Sequence, residues 1–457
     1  MFERVRSRIQ AASRYSSDRW LYAWGLGYAA VGAGSLLVPL YAITLGAGPF
    51  VVGLIESLAG LAGIPGALIW GRLADRTGQR RTFVTISLFG TAAVLAVFPF
   101  IDTPTSVVVL NGILWFMVAA ASPVVTVFML ENQTRSAWDR RIGLLNAYQR
   151  YGWVGGLLGG TLWLGTIARL QSTVQAQRSL FILCAGAAGL AVPLVFLWLP
   201  AKATTSAKRL TRTSHVGRIV ASSGRYVKLI PYVPSRAVGS IASVDARRLL
   251  GRLTPDLRRY LLISLVFYIG FAIFFGPLPV YLTVEGLSSS TIFGLFIVSS
   301  LASAVIFVPV GRWSTVRGPK WLQTRALSIR ALLFPAIGLL GLIASLALRV
   351  IGFGIGFALI GFTWAIIAVT GAGLVSRIAP ERIRGEALGI YTAVAGLGGG
   401  VGGILGGMLA RVFTYQATFG VAGVTVLLSI LLLMVWSPPV DDADRSDPFT
   451  LEVESNE

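Results

Sequence analysis

Twelve stretches of about twenty mainly apolar residues follow one another along this chain, each long enough to cross the hydrocarbon core of a bilayer as a helix. They lie at roughly 20–45, 49–70, 82–101, 107–131, 142–168, 179–200, 260–283, 288–310, 324–346, 350–375, 387–410 and 416–437. A bilayer offers no water to bond exposed peptide groups, so such segments are expected to span as helices. Of 457 residues, 55% are hydrophobic and 13% charged, and the mean hydropathy is +0.74. These values exclude an ordinary soluble protein. The opening MFERVRSRIQAASRYSSDRW is polar and charged, without an apolar core or cleavage site, so the first stretch is expected to stay as a span.

The formal charge of +20 is explained by where it falls. With the N-terminus taken as cytoplasmic, 33 of the 39 Lys and Arg residues lie in cytoplasmic tails and loops, 13 of them between spans six and seven. The outer loops hold four: Arg169, Arg178, Arg349 and Arg411. This asymmetry obeys the positive-inside rule and predicts a multi-pass protein of the cell membrane with both termini cytoplasmic. The basic surface is expected to meet anionic lipid head groups, not nucleic acid. Cys184 and His215 are the only residues of their types. They offer no metal site and no nucleophile–base pair, so neither an enzyme nor a cofactor is expected.

The chain repeats itself. Pro39, Tyr41, Gly46, Gly71, Arg72 and Gly78 recur 240 residues later as Pro279, Tyr281, Gly286, Gly311, Arg312 and Gly318. GGLLGG at 155–160 returns as GGILGG at 402–407, an offset of 247. A fixed offset between segments of equal rank marks an internal repeat. Six spans per copy, an even number, make the copies parallel about an axis along the membrane normal. The expected architecture is all-α, with twelve transmembrane helices in two parallel six-helix repeats. Its units are a bundle at 1–200, a basic cytoplasmic linker at 201–259, a second bundle at 260–440 and an acidic tail at 441–457.

The stretch GRLADRTGQRR at 71–81, with Gly71, Asp75, Arg76, Gly78, Arg80 and Arg81, resembles the signature between spans two and three of the major facilitator superfamily. PERIRGEALGIYTA at 380–393 resembles the region between spans ten and eleven of that superfamily. The resemblance runs from the first span to the last. It implies a secondary transporter that moves a small molecule by alternating access, with a cytoplasmic gate at Gly71, Asp75, Arg76, Gly78 and Arg80 that Glu131 joins. Gly71 and Gly78 are expected to let the backbone turn tightly. In the second copy Thr315 replaces the aspartate and Arg377 stands where the acid of span ten is expected, so the lock is one-sided.

Charges inside spans mark function by default. Glu56, seven residues into the second span, lies about 10 Å deep at 1.5 Å per residue, and is the candidate proton carrier; a glutamate facing water at the outer mouth is the plainer reading. Arg150 lies inside the fifth span, with Glu131 as its counter-charge or an anionic substrate as its contact. Arg330 is expected to reach the cytoplasmic surface by snorkelling. In this superfamily spans 1, 4, 7 and 10 line the central cavity. Trp24, Tyr28, Asn111, Trp115, Tyr268 and Trp364 are therefore candidates for an aromatic chamber for amphipathic or cationic compounds, although packing alone also accounts for them. Gly155, Gly156, Gly159 and Gly160 resemble part of the span-five motif of the superfamily's antiporters, with Gly156 in place of proline. Close packing across the halves explains both copies equally well.

These features favour a proton-coupled exporter of drug-like or amphipathic compounds, acting as a monomer. A permease for a small organic anion is the alternative. A non-transporting receptor or lipid-handling protein on the same fold is the alternative of another class.

Overall fold

A computed structural model describes residues 18–77, 79–130, 135–199, 253–380 and 383–436. Gly78, Glu131, His215, the linker at 201–252 and the tail at 441–457 lie outside the described residues.

The twelve expected spans appear as helices. The first half holds α1 (Trp20–Thr44), α2 (Pro49–Thr77), α3 (Arg80–Val97), α4 (Pro104–Leu130), α5 (Arg135–Ile167) and α6 (Thr173–Trp198). The second holds α7 (Pro255–Phe275), α8 (Ser289–Arg317), α9 (Pro319–Leu339), α10 (Leu346–Ile378), α11 (Arg384–Val412) and α12 (Tyr415–Val435). A short helix, Leu278–Val284, continues α7 beyond a break. Among the described residues, ten spans are long and apolar enough to cross a membrane. The described apolar part of α2 is the shorter stretch Pro49–Gly63, and α5 opens with charged residues that leave its apolar part short.

The packing has a two-fold pattern. α1 packs on α5 and α6, α2 on α4, and α3 on α4 and α6. α7 packs on α11 and α12, α8 on α10, and α9 on α10 and α12, which is the same set six helices later. The halves meet along α2–α11 and α5–α8, two seams that exchange under that symmetry.

Helix ends confirm the 240-residue offset in atomic detail. Gly46 has φ 90°, the Gly46 amide donates to the Ile43 carbonyl and the Ala47 amide donates to the Ala42 carbonyl. Gly286 has φ 85°, the Gly286 amide donates to the Thr283 carbonyl and the Leu287 amide donates to the Leu282 carbonyl. Both are Schellman caps, in which a glycine takes the left-handed conformation that a Cβ disfavours. Tyr41 then donates its hydroxyl proton to the Ile101 carbonyl, at 2.7 Å, and Tyr281 donates to the carbonyls of Ile337 and Gly338, at 3.1 and 3.0 Å.

Two sequence expectations change. Gly71 lies inside α2, which runs on to Thr77, so it makes no turn, and α3 begins at Arg80. The glycine echo at offset 247 is one residue out of structural register. An added Cβ on Gly156 would lie 2.0 Å from the Ala29 carbonyl oxygen of α1. Its equivalent against α7 is Gly402, 2.4 Å from the Ile269 oxygen. Ala29 and Ile269 are 240 apart, and Gly156 and Gly402 are 246 apart. Doubled glycines let the literal match slip by one position while the buried face stays glycine.

Candidate functional site

The halves are drawn together at the end of the bundle that carries the α1–α2 and α5–α6 connections, opposite the end with the arginine-rich ones. Gln177 on α6 donates through Nε2 to Ser289 Oγ at 3.3 Å and accepts from Thr44 Oγ1 at 2.5 Å. Ser290 on α8 donates to the Thr161 carbonyl at 2.9 Å. A Cβ on Gly160 would meet the Phe293 ring of α8 at 2.4 Å, so this glycine packs across the α5–α8 seam, whereas a Cβ on Gly155 or Gly159 would meet nothing within 4 Å. On the other seam, Gly403 and Gly407 of α11 lie against Ser57, Pro49, Phe50 and Gly53 of α2. Glu56, partly buried, is the chain neighbour of Ser57 and stands beside this seam. Arg150 is partly buried within α5. Asp75 and Arg76 lie on α2 and Arg80 on α3, with side chains outside the description, so these gate candidates are placed only by their backbone.

Each half buttresses its end with an arginine that sequence inspection had assigned only to loops. Arg178, at the start of α6, pairs with Asp102 and donates through Nε to Tyr41 Oη at 3.0 Å. Arg349, at the start of α10, pairs with Glu285 at 2.7 Å and also donates to its carbonyl at 3.0 Å. The repeated tyrosines, Tyr41 and Tyr281, were the available signal for these clusters. At the basic end Arg141 pairs with Asp18 at 2.6 Å.

The six chamber candidates divide by half. Trp24, Tyr28, Asn111 and Trp115 are at most 4% exposed. Trp24 packs on Tyr28 at 5.1 Å between ring centroids, and Asn111 donates to the Ile55 carbonyl of α2 at 2.8 Å, a helix-to-helix bond. In the second half Tyr268 and Trp364 stay partly exposed. Tyr268 donates to Tyr391 Oη at 3.1 Å, and behind it Tyr260 donates to Gln323 Oε1 at 2.9 Å.

Arg330 corrects the snorkelling expectation. It sits twelve residues into α9, too far from that helix's basic end for its head to reach water, and it is 1% exposed. Nε donates to Thr363 Oγ1 at 3.1 Å and Nη2 to the Ile360 carbonyl at 3.0 Å, both on α10. The guanidinium lies 4.3 Å from the Phe271 ring centroid, 6.0 Å from Phe275, 5.9 Å from Phe334 and 5.6 Å from Trp364. Cation–π attraction stabilises a charge in such a box. The cation rests between α7 and α10, both named from sequence as chamber helices. Among the described residues no cluster of His, Cys, Asp or Glu is arranged to hold a metal ion.

The sequence profile of the Major Facilitator Superfamily matches residues 20–370 and 355–451. No curated protein matches the chain in sequence. A mutant of the nucleoside transporter NupG superposes with a TM-score of 0.71 at 12% identity, covering 92% of this chain and 99% of its own. The bacterial homolog of the human lysosomal transporter Spinster gives 0.65 at 13%, covering 93% and 99%. The human organic anion transporter MFSD10 gives 0.55 at 17%, covering 92% and 99%. At these identities the structural similarity speaks to fold alone.

Proposed function

Since the chain belongs to the major facilitator superfamily, a family of transporters and not of enzymes, we propose that this secondary transporter of small molecules carries an amphipathic compound out of the cell in exchange for protons. The observation that supports alternating access is the seam geometry. The halves touch along α2–α11 and α5–α8, with glycines at both seams, and are hydrogen-bonded at the end opposite the basic loops. Small residues let such helices slide and tilt against one another. In this reading both termini and the α2–α3 gate face the cytoplasm, the cell membrane holds a monomer, and the 1–200 and 260–440 bundles are the rocking units around the linker.

Glu56 is the proposed proton carrier. It is the chain neighbour of Ser57, which packs at the α2–α11 seam, and a carboxylate inside a span marks function by default. The compound is proposed to sit against Tyr268 and Trp364, chamber residues that remain partly exposed. Solved transporters of this fold carry substrates as unlike as nucleosides, organic anions and xylose, so the substrate has to be read from the site itself.

The test is flux in liposomes containing the purified protein, with a pH-sensitive dye and a panel of cationic, neutral and anionic compounds. Compound-driven proton movement that Glu56→Gln abolishes is the expected result. Compound movement without protons, or a Glu56→Gln variant equal to wild type, removes the proton coupling; no movement of any compound removes transport.

A further inference from the structure

The Arg330 box holds a buried hydrogen-bond donor that no described residue uses, and one of its walls, Trp364, carries a second. Arg330 spends Nε and Nη2 on α10, and its Nη1, buried, has no acceptor. Trp364 forms one wall of the box, and its Nε1, also buried, has no acceptor either. No carboxylate among the described residues pairs with Arg330. A buried cation without a counter-charge and a buried N–H without an acceptor are each costly states that folding alone does not favour. Their occurrence together in one aromatic box points to an acceptor supplied from outside the chain.

The helix beside the box is interrupted. α7 ends at Phe275, and Gly276–Pro277 separates it from its continuation at Leu278. Phe271 and Phe275, which face the guanidinium, are the last turn before that break. The corresponding first span runs unbroken from Trp20 to Thr44. Discontinuous spanning helices accompany substrate sites in transporters, since they free the backbone locally and give the site mobility.

We propose that Arg330 and Trp364 bind the carboxylate of the transported compound, one donor to each oxygen, while the surrounding rings take its apolar or aromatic body. The substrate class is therefore a small monocarboxylate on an apolar frame. One cation in the box matches one negative charge, whereas a phosphate dianion would be left half compensated in a low-dielectric site. The partly exposed flank formed by Trp364 and Tyr268 gives the compound its approach. This inference rests on the transport reading and narrows the proposed amphipath to an acid.

The test is binding to the full-length protein in detergent, followed by calorimetry and by the shift in unfolding temperature. The probes are 2-naphthoate, octanoate, the uncharged 2-naphthamide and the cationic 2-naphthylmethylamine. The carboxylates are expected to bind at least about tenfold more tightly than the amide or amine, as befits one charge-assisted bond. Arg330→Met should remove that preference, Arg330→Lys should retain part of it, and Trp364→Phe, which keeps a ring and loses only the N–H, should weaken naphthoate several-fold. If Arg330→Met fails to give a monodisperse protein, Trp364→Phe and the wild-type comparison of naphthoate with naphthamide still decide. Absence of carboxylate binding, equal binding of the amide or amine, or an unchanged preference in Arg330→Met would overturn the site. Naphthoate that binds but does not cross liposomes would overturn transport and leave the site standing. Flux of the amine without naphthoate binding would do the reverse.

Discussion

At their ends the two halves carry the same device: a Schellman glycine with φ near 90°, Gly46 in one and Gly286 in the other, and a tyrosine five residues earlier that bonds the backbone around the end of the third helix of its half. In the middle they differ. Counting back 240 residues from Arg330 leads to Gly90 on α3, where the side chain of Met117 fills the space; a Cβ on Gly90 would lie 2.7 Å from its sulfur. The first half is sealed there with an adaptable thioether, and its chamber candidates Trp24 and Trp115 are packed away. The second half keeps a cation, a broken helix and two partly exposed rings in the equivalent layer. The repeated parts are those that the proposed rocking needs in duplicate, whereas the proposed carboxylate site needs only one copy.

The largest effect should come from imposing the second half's chemistry on the first. Gly90→Arg buries a charge in a site filled by Met117, and should destabilise by about 3–5 kcal/mol, the range for an uncompensated buried charge, seen as a large fall in unfolding temperature. Arg330→Met should be neutral or stabilising in the same assay while carboxylate binding is lost. A fall comparable to that of Gly90→Arg would make Arg330 a structural keystone and end the asymmetry.

The next contrast lies within one motif. Gly156→Leu would drive a side chain into the Ala29 carbonyl and should destabilise by about 1–3 kcal/mol or prevent assembly, whereas Gly155→Leu, facing open space, should leave the unfolding temperature unchanged. Equal effects would contradict the register given above. The end clusters should differ in the same direction as their burial. Glu285→Gln breaks a pair whose side chains are 15% and 19% exposed and should cost about 2–3 kcal/mol; Asp102→Asn, at a side chain 74% exposed, should cost less than about 1 kcal/mol. The last contrast is the most symmetrical: Gly46→Ala and Gly286→Ala should each cost about 1–2 kcal/mol for a left-handed residue with a Cβ, with equal shifts in unfolding temperature.

The fold was legible in the sequence because its signals are long and redundant. Twelve apolar stretches, a one-sided distribution of arginines and a constant offset do not depend on any single contact. The helix bounds were less legible: Gly71 reads as a turn beside so many charges, yet α2 continues through it because a helix end in the head-group region tolerates polar residues. The site was legible in part. Tyr268 and Trp364 of the proposed site are chamber candidates by their places on α7 and α10, but Arg330 was misread, since a position along a helix does not say whether an arginine leaves the bundle or enters it. The pairing of Arg178 with Asp102 and of Arg349 with Glu285 depends on how helix ends converge, which no local pattern carries. The doubled glycines at 155–160 and 402–407 misled by one residue because the literal match and the packing face both satisfy the same letters.

The most direct test of alternating access uses the closed end. An added Cβ on Gly165 would lie 3.8 Å from Ser290 Cβ, the separation of a relaxed disulfide. Gly165→Cys with Ser290→Cys, in a Cys184→Ala background, should form that bond on oxidation and hold the α5–α8 seam shut. Flux in liposomes, measured with whichever compound of the panel the wild type carries, should stop on oxidation and return on reduction. Full flux with the disulfide formed would mean that this end never opens, and the rocking mechanism would be wrong.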